Sequence, residues 1–249
     1  MIARPITQMA WLPTTVRAKH FRTPNSMSLL LENTIGEYLA GQHLDVRLVA
    51  EDGYEARRSY SIASAPGGSQ LELLIERLPD GEVSPFLVDE LQSGETVEIR
   101  GPVGGHFTWT PSDRRPIALV AGGSGIAPLM SMVRHRAVTP DPSAPALLLY
   151  SARDWAHMAF ATELERMAAA DASFSFVATT TREPARRRGD FDRRIDMEML
   201  SAVLARRGDR RDLACFVCGA TEFVETAATA LVRLGVPSEA VKTERYGGA

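Results

Sequence analysis

Ile117-Ala118-Leu119-Val120-Ala121-Gly122-Gly123-Ser124-Gly125-Ile126-Ala127-Pro128 is an unbroken apolar run that ends in a glycine-rich turn and opens into helix-forming sequence. An uninterrupted apolar strand is the kind buried on both faces, as in parallel sheets. Glycines let a backbone approach a pyrophosphate, and the start of the next helix supplies free N–H groups and a positive dipole end. The plain alternative is a tight strand-to-helix turn. A dinucleotide fingerprint G-x-G-x-x-G wants glycine where Pro128 stands, so that match is imperfect.

Outward from this segment the chain has two grammars. After Pro111, the apolar strands Ile117–Ala121, Ala146–Tyr150, Phe174–Thr179 and Ala214–Cys218 are accompanied by helical stretches at Pro128–Arg136, Phe160–Ala170, Met197–Leu204 and Glu222–Leu234. Strands alternating with helices predict a parallel, doubly wound α/β sheet. Before Pro111 the segments are short, several of them alternating: Met27–Glu32, Leu44–Val49, Arg58–Ala63, Leu71–Glu76 and Thr96–Arg100, separated by Gly, Pro and Asp turns. That rhythm predicts an antiparallel β-barrel. One helix interrupts it at Ser84–Leu91, with Ser84 as its cap and Pro85 at the first helical position. The expected division is a barrel domain over 1–112 and an α/β domain over 113–249.

Of 249 residues, 45% are hydrophobic and 24% charged, and the formal net charge is −3. This balance gives no reason to expect nucleic acid or an anionic membrane as partner. No apolar run approaches the roughly 20 residues a membrane helix needs. The N-terminal stretch lacks the charged and apolar regions of a secretory signal, so the expected location is cytoplasmic. The two cysteines, Cys215 and Cys218, form a C-x-x-C inside a predicted strand. Three residues apart in a strand, their side chains take opposite faces, with Cα atoms about 10 Å apart, too far for a disulfide. With no second pair, neither a four-cysteine zinc site nor a [2Fe–2S] cluster is expected. His20, His43, His106, His135 and His157 show no metal-ligand spacing.

Arg58-Ser59-Tyr60-Ser61-Ile62-Ala63 is the second segment with chemical potential. In a strand, Arg58, Tyr60 and Ile62 point one way and Ser59, Ser61 and Ala63 the other. An Arg pairs well with phosphate, and an aromatic ring two residues on can lie against a planar ligand. The plain alternative is a surface Arg beside a barrel-packing Tyr.

Taken together and in order, these segments resemble the ferredoxin–NADP reductase superfamily. Arg58-x-Tyr60-Ser61 resembles its flavin motif, and Gly81-Glu82-Val83-Ser84 the segment that receives flavin phosphate. Gly101-Pro102-Val103-Gly104-Gly105-His106-Phe107 is similar to the loop closing the flavin domain. Gly123-x-Gly125-Ile126-x-Pro128 is similar to its nicotinamide-dinucleotide loop, which accounts for the proline. Cys218-Gly219 is similar to the start of its C-G-P strand end, with Ala220 in place of Pro. The resemblance implies an FAD-binding barrel followed by a Rossmann-like NAD(P)-binding domain. It implies that Arg58 holds the flavin phosphate, Tyr60 packs on the isoalloxazine and Ser61 bonds near flavin N5, with Ser59 and Ile62 completing the segment. Gly81, Val83 and Ser84 would contact the pyrophosphate, and Gly122, Gly123, Gly125, Ile126 and Pro128 the dinucleotide. Cys218 and Gly219 would lie at the nicotinamide.

The terminal Glu244-Arg245-Tyr246-Gly247-Gly248-Ala249 resembles the family's last segment, which implies Tyr246 as a gate beside the flavin and Glu244 as a partner of the ring region; a frayed tail is the alternative. Thr180-Thr181-Arg182-Glu183 resembles the Ser-Arg-Glu segment of NADP-using members. With Ser151, Arg153 and the run Arg186-Arg187-Arg188, it favours NADPH over NADH. The function this implies is an oxidoreductase that passes electrons from NAD(P)H through FAD to a separate ferredoxin or other iron–sulfur protein, such as an oxygenase component. The alternatives are a free-standing diaphorase for flavins, quinones or ferric chelates, and a redox-silent binding or regulatory subunit.

Overall fold

The computed structural model describes residues 9–139, 145–205 and 209–246. Residues 1–8, read above for a leader, and 247–249 of the terminal segment lie outside them.

The first sheet is built on β1 (Leu12–Thr23), which pairs with β2 (Ser26–Glu32) on one side and β6 (Thr96–Val103) on the other. With β3 (His43–Val49), β4 (Glu55–Ser61) and β5 (Gln70–Glu76), the order is β4-β3-β6-β1-β2-β5, antiparallel throughout. The edges meet where Ile62 bridges Leu73 and the Ala63 N–H donates to the Glu72 carbonyl at 2.7 Å. The sheet therefore closes as a barrel, lined by Leu29, Leu31, Leu44, Val46, Ile75 and Ile99.

The helix expected at Ser84–Leu91 is a single wide turn, Phe86–Glu90, entered through Pro85. Ser84 does not cap it. Its Oγ accepts instead from the Leu78 N–H at 3.0 Å, fixing the turn before the helix. The far end is satisfied by Lys19, whose Nζ donates to the Val88 and Leu91 carbonyls at 2.8 and 2.5 Å. This is the basic C-terminal cap that orphan carbonyls require.

The second sheet holds β7 (Ile117–Gly122), β8 (Ala146–Ala152), β9 (Phe174–Thr180), β10 (Ala214–Ala220) and β11 (Val241–Tyr246). They run parallel in the order β11-β10-β7-β8-β9. Helices α1 (Ile126–Val138) and α2 (Ala161–Ala170) cover one face; α3 (Met197–Leu204) and α4 (Thr221–Arg233) cover the other. Strand parity decides which side chain meets which helix. Leu119, Leu148 and Phe216 join the α1–α2 face, together with Ala63, Phe107 and Trp109 from the barrel, whereas Val120, Leu149 and Val217 join the α3–α4 face. Cys218 and Cys215 divide the same way, as their spacing requires, and both are free thiols.

Candidate active site

The carboxyl ends of β7, β10 and β11 lie side by side, with Ala121, Cys218 and Glu244 in register. Open parallel sheets place ligands outside this edge. Facing it is the end of β4: Ser61 Oγ donates to Glu244 Oε1 at 2.9 Å, across 183 residues of sequence. Burial pushes the Glu244 carboxyl above its ordinary range, and the Ser61 hydrogen bond and nearby His43 pull it part of the way back. His43 stands opposite Ser61 on β3. Sequence reasoning set His43 aside because it sought metal spacing; the signal is cross-strand register, which no local pattern displays.

The loop Gly122–Gly125 wraps the same edge. Gly123 is left-handed, φ +55°, and a Cβ there would sit 2.7 Å from the Tyr246 hydroxyl, so the position needs glycine twice over. A Cβ on Gly125 would run into the Cys218 carbonyl and the Gly219 nitrogen. Tyr246 donates its hydroxyl proton to the Gly122 carbonyl at 2.6 Å. It is thus the end of an ordered strand that reaches the loop. Pro128 lies in the first turn of α1, where a missing N–H removes no helical bond. Ile126 is wholly buried, so only its backbone faces the loop.

Cys218 is 2% exposed. Burial, with Glu244 beside it, holds its thiol well above the ordinary range, and burial pushes Cys215 up to about 12. Both are protonated near neutrality, and neither is positioned for dithiol chemistry.

On β4, Arg58 and Tyr60 share one face, opposite Val46 and Leu44. Tyr60 packs on the barrel core, and burial raises its hydroxyl to about 12. The Arg58 side chain is 56% exposed; it donates to the Arg57 carbonyl at 2.7 Å and faces Glu82 at 4.0 Å. Two further members of the motif have partners within the barrel. Ser59 lies on the other face, its Oγ donating to Asp45 at 2.6 Å, and the Ile62 side chain is sealed in the barrel, its N–H donating to the Gln42 carbonyl at 3.0 Å. The Asp45 carboxylate holds the Ser59 hydroxyl, and barrel closure buries Ile62. Val83 and Ser84 are buried as well, so along Gly81–Ser84 the backbone and Glu82 face outward.

Near the end of β8, Ser151 is level with Gly122 and Thr179. The Thr181 and Arg182 N–H groups donate to the Arg153 carbonyl at 3.2 and 2.8 Å, which joins the two loops. Both Arg153 and Arg182 are exposed. Arg187 is committed: it pairs with Asp190 at 2.8 Å and lies over Trp155 and Phe176. Arg186 stacks on Trp155. Arg187 and Arg186 thus already have partners in this loop, whereas Arg188 is exposed. Arg153, Gly123, Ser124 and Tyr150 line a small cleft of about 70 Å³, closed on the barrel side by Thr23, Asn25 and Glu76.

Comparison with known proteins explains the arrangement. Residues 14–109 match the oxidoreductase FAD-binding domain, and residues 119–229 the oxidoreductase NAD-binding domain. The chain belongs to the ferredoxin–NADP reductase superfamily. It is 38% identical over 131 residues to methane monooxygenase component C of Methylosinus trichosporium, covering 53% of this chain and 37% of that protein. The propane 2-monooxygenase reductase component of Mycolicibacterium smegmatis is 28% identical over 235 residues, covering 92% of this chain and 65% of the relative. The chain spans about half the length of the curated relatives it matches. In fold it is similar to a ferredoxin NADP+ reductase from Neisseria gonorrhoeae with bound FAD and NADP: TM-score 0.80 at 21% identity, over 96% of this chain and 99% of that one. Among the described residues, no helix is long and apolar enough to cross a membrane, and no group of three His, Cys, Asp or Glu side chains could hold a metal ion.

Proposed function

We propose that this chain is an NAD(P)H-dependent flavoprotein reductase that delivers electrons to a separate iron–sulfur protein, a ferredoxin or an oxygenase component. The observation that carries the reading is the Ser61–Glu244 hydrogen bond, which sets the flavin-motif strand against the dinucleotide edge. Residues 1–112 serve as the FAD-binding barrel and 113–249 as the NAD(P)-binding domain. FAD bound there would supply the redox chemistry of hydride acceptance and single-electron release.

The residues present fit that group. Arg58 offers an outward guanidinium for a phosphate, Tyr60 an aromatic wall, and Ser61 a hydroxyl held in direction by Glu244. Glu244, which burial disposes toward its protonated form, can hold a proton at the Ser61 hydroxyl. Tyr246 and the Gly122–Gly125 loop close the nicotinamide side, and Cys218 supplies a small, uncharged surface. Residues that position and exclude water are what such a site contributes. The oxygenase components among the relatives support a separate protein acceptor, and two unpaired thiols suit a reducing cytoplasm.

The test is direct. The purified protein should show flavin absorption that bleaches with NADPH under anaerobic conditions. A colourless protein that neither FAD nor FMN reconstitutes would overturn the reading.

Arg153 and Arg182 favour NADPH, because their adjacent loops present two exposed guanidinium groups to one 2′-phosphate. Arg182→Ala is expected to raise KM for NADPH about tenfold, in the range of a lost charge-assisted hydrogen bond, and to leave KM for NADH within about twofold. Equal effects on the two nucleotides would remove Arg182 from the phosphate site.

A further inference from the structure

Glu76, at the end of β5, closes the cleft opposite Gly123 and Ser124 and has no role in the site described so far. It is half-buried, and Asn25 Nδ2 donates to its Oε1 at 3.2 Å from the β1–β2 turn. Glu72, four residues earlier on the same face of β5, is paired with Arg22 and Arg134 at 2.8 and 2.7 Å. Glu76 differs: among the described residues no basic side chain pairs with it. A half-buried carboxylate steadied by a neutral amide keeps its full charge for whatever enters the cleft.

Strand register specifies what that is. Ile62 bridges Leu73, and the Ala63 N–H reaches the Glu72 carbonyl, so the end of β4 runs antiparallel to β5 with Ser61 opposite Leu74. Opposed residues share a face, and on β5 that face carries Leu74 and then Glu76. Glu76 is therefore about 7 Å along the strand from the position opposite Ser61. Across the cleft stands Tyr246. Burial raises its hydroxyl to about 12, and the Glu76 charge adds to that rise.

A nicotinamide that gives up hydride beside Ser61, with its diphosphate on the Gly122–Gly125 loop, brings its ring within Coulomb range of Glu76. The diphosphate carries the same charge in both redox forms. The ring does not, being neutral when reduced and a cation once it has lost the hydride. We infer that Glu76 discriminates between the redox forms of the dinucleotide, holding the oxidised, cationic ring more tightly than the reduced, neutral one and so strengthening product inhibition. The inference rests on the hydride-transfer reading above and adds a specificity determinant to it, with Asn25 positioning the carboxylate.

Calorimetric titration of the flavin-loaded protein tests this with two ligands, NADP+ and 1,4,5,6-tetrahydro-NADP, or the corresponding NAD pair if wild type binds that better. The tetrahydro compound has an uncharged ring and donates no hydride. Glu76→Gln, which keeps the shape of the side chain, should weaken NADP+ about threefold to tenfold, the effect of one unit charge on another about 7–10 Å away in a largely aqueous cleft. Affinity for the tetrahydro compound should stay within about twofold of wild type, which also reports that the variant is folded. If Glu76→Gln loses its flavin, Glu76→Ala carries the same expectation. Steady-state kinetics should repeat the split, with the inhibition constant of NADP+ raised by the same factor and KM for NADPH nearly unchanged. Equal losses for the two ligands, or no loss for NADP+, would overturn the assignment. Tighter binding of both would place the carboxylate against the diphosphate and overturn it as well. A wild type that holds no flavin or binds neither ligand would overturn the hydride-transfer reading itself, and this inference with it.

Discussion

Gly125→Ala should yield a protein that retains its flavin but oxidises NAD(P)H about a hundredfold more slowly. The backbone of Gly125 is unstrained, with φ −62°, so the cost is entirely one of space. The added methyl would meet the Cys218 carbonyl and the Gly219 nitrogen, which are backbone atoms of a central strand and cannot swing aside. Loop and strand must part. Overpacking of this kind costs roughly 1–3 kcal/mol, and a displacement of about 1 Å at a positioned site costs on the order of a hundredfold in rate. Arg58, Tyr60 and Ser61 stand on the barrel and do not share this contact, so flavin content should stay near that of wild type. Flavin-to-protein absorbance ratio and steady-state NADPH oxidation separate the two effects. Loss of flavin together with rate would show that the halves do not act independently; unchanged rate would show that the loop does not hold the dinucleotide.

The parts of this site that could be read from sequence are those whose meaning is local. The strand–glycine–helix passage at 117–128 fixes its own geometry through apolar burial and the space glycine leaves, and it appears in the structure within a residue or two. The Cys215/Cys218 split across two faces follows from strand parity alone. β1 is different. Its sequence LPTTVRAKHFRT shows no sustained alternation, because its apolar positions are few and Arg17, Lys19 and Arg22 find ionic or carbonyl partners at the barrel surface. Neighbouring strands, not its own composition, make it a strand. β11 is similar: Lys242 and Glu244 look like tail residues, but Lys242 donates to the Thr108 carbonyl at 3.0 Å and Glu244 accepts from Ser61. The resemblance brought Ser61 and Glu244 separately to the flavin region, but their direct hydrogen bond needed the structure, since no spacing argument spans 183 residues. His43 needed strand register, and the commitment of Arg187 to Asp190 and two aromatic rings needed tertiary structure.

Arg134→Met should lower Tm by roughly 6–20 °C, through an ion network that binds the barrel to the second sheet. Arg134 on α1 donates through Nε and Nη2 to Glu163 at 2.7 and 2.8 Å, and through Nη1 to Glu72 at 2.7 Å and the Ala63 carbonyl at 2.9 Å. Its guanidinium lies 5.0 Å from the Phe160 ring centroid, and that of Arg22, from the barrel, lies 4.9 Å from the same ring. Phe160 holds this place in a left-handed conformation, φ +62°, a cost that the surrounding contacts must offset. Glu72 is 8% exposed, so its charge has little water to turn to. Removing one partner of a buried pair costs about 3–5 kcal/mol, because the other charge stays behind, and each kcal/mol moves Tm by about 2–4 °C at this chain length.

The effect should depend on pH with a definite sign. Burial opposes the Glu72 charge, but Arg134, Ser28 and Arg22 together outweigh it, so its carboxyl titrates below the ordinary range. A depressed carboxylate stabilises the fold above its unfolded pKa, about 4.3, and that contribution is lost as pH falls through the folded value. The Tm difference between wild type and Arg134→Met should therefore be full at pH 7 and shrink below about pH 4.3. Thermal unfolding of both proteins from pH 7 to pH 3.5 measures it. Curves that stay parallel across that range would mean that Arg134 acts by packing on Phe160, with its charge contributing nothing. A difference that closes with acid would locate the bond between the two halves in the Glu72 carboxylate.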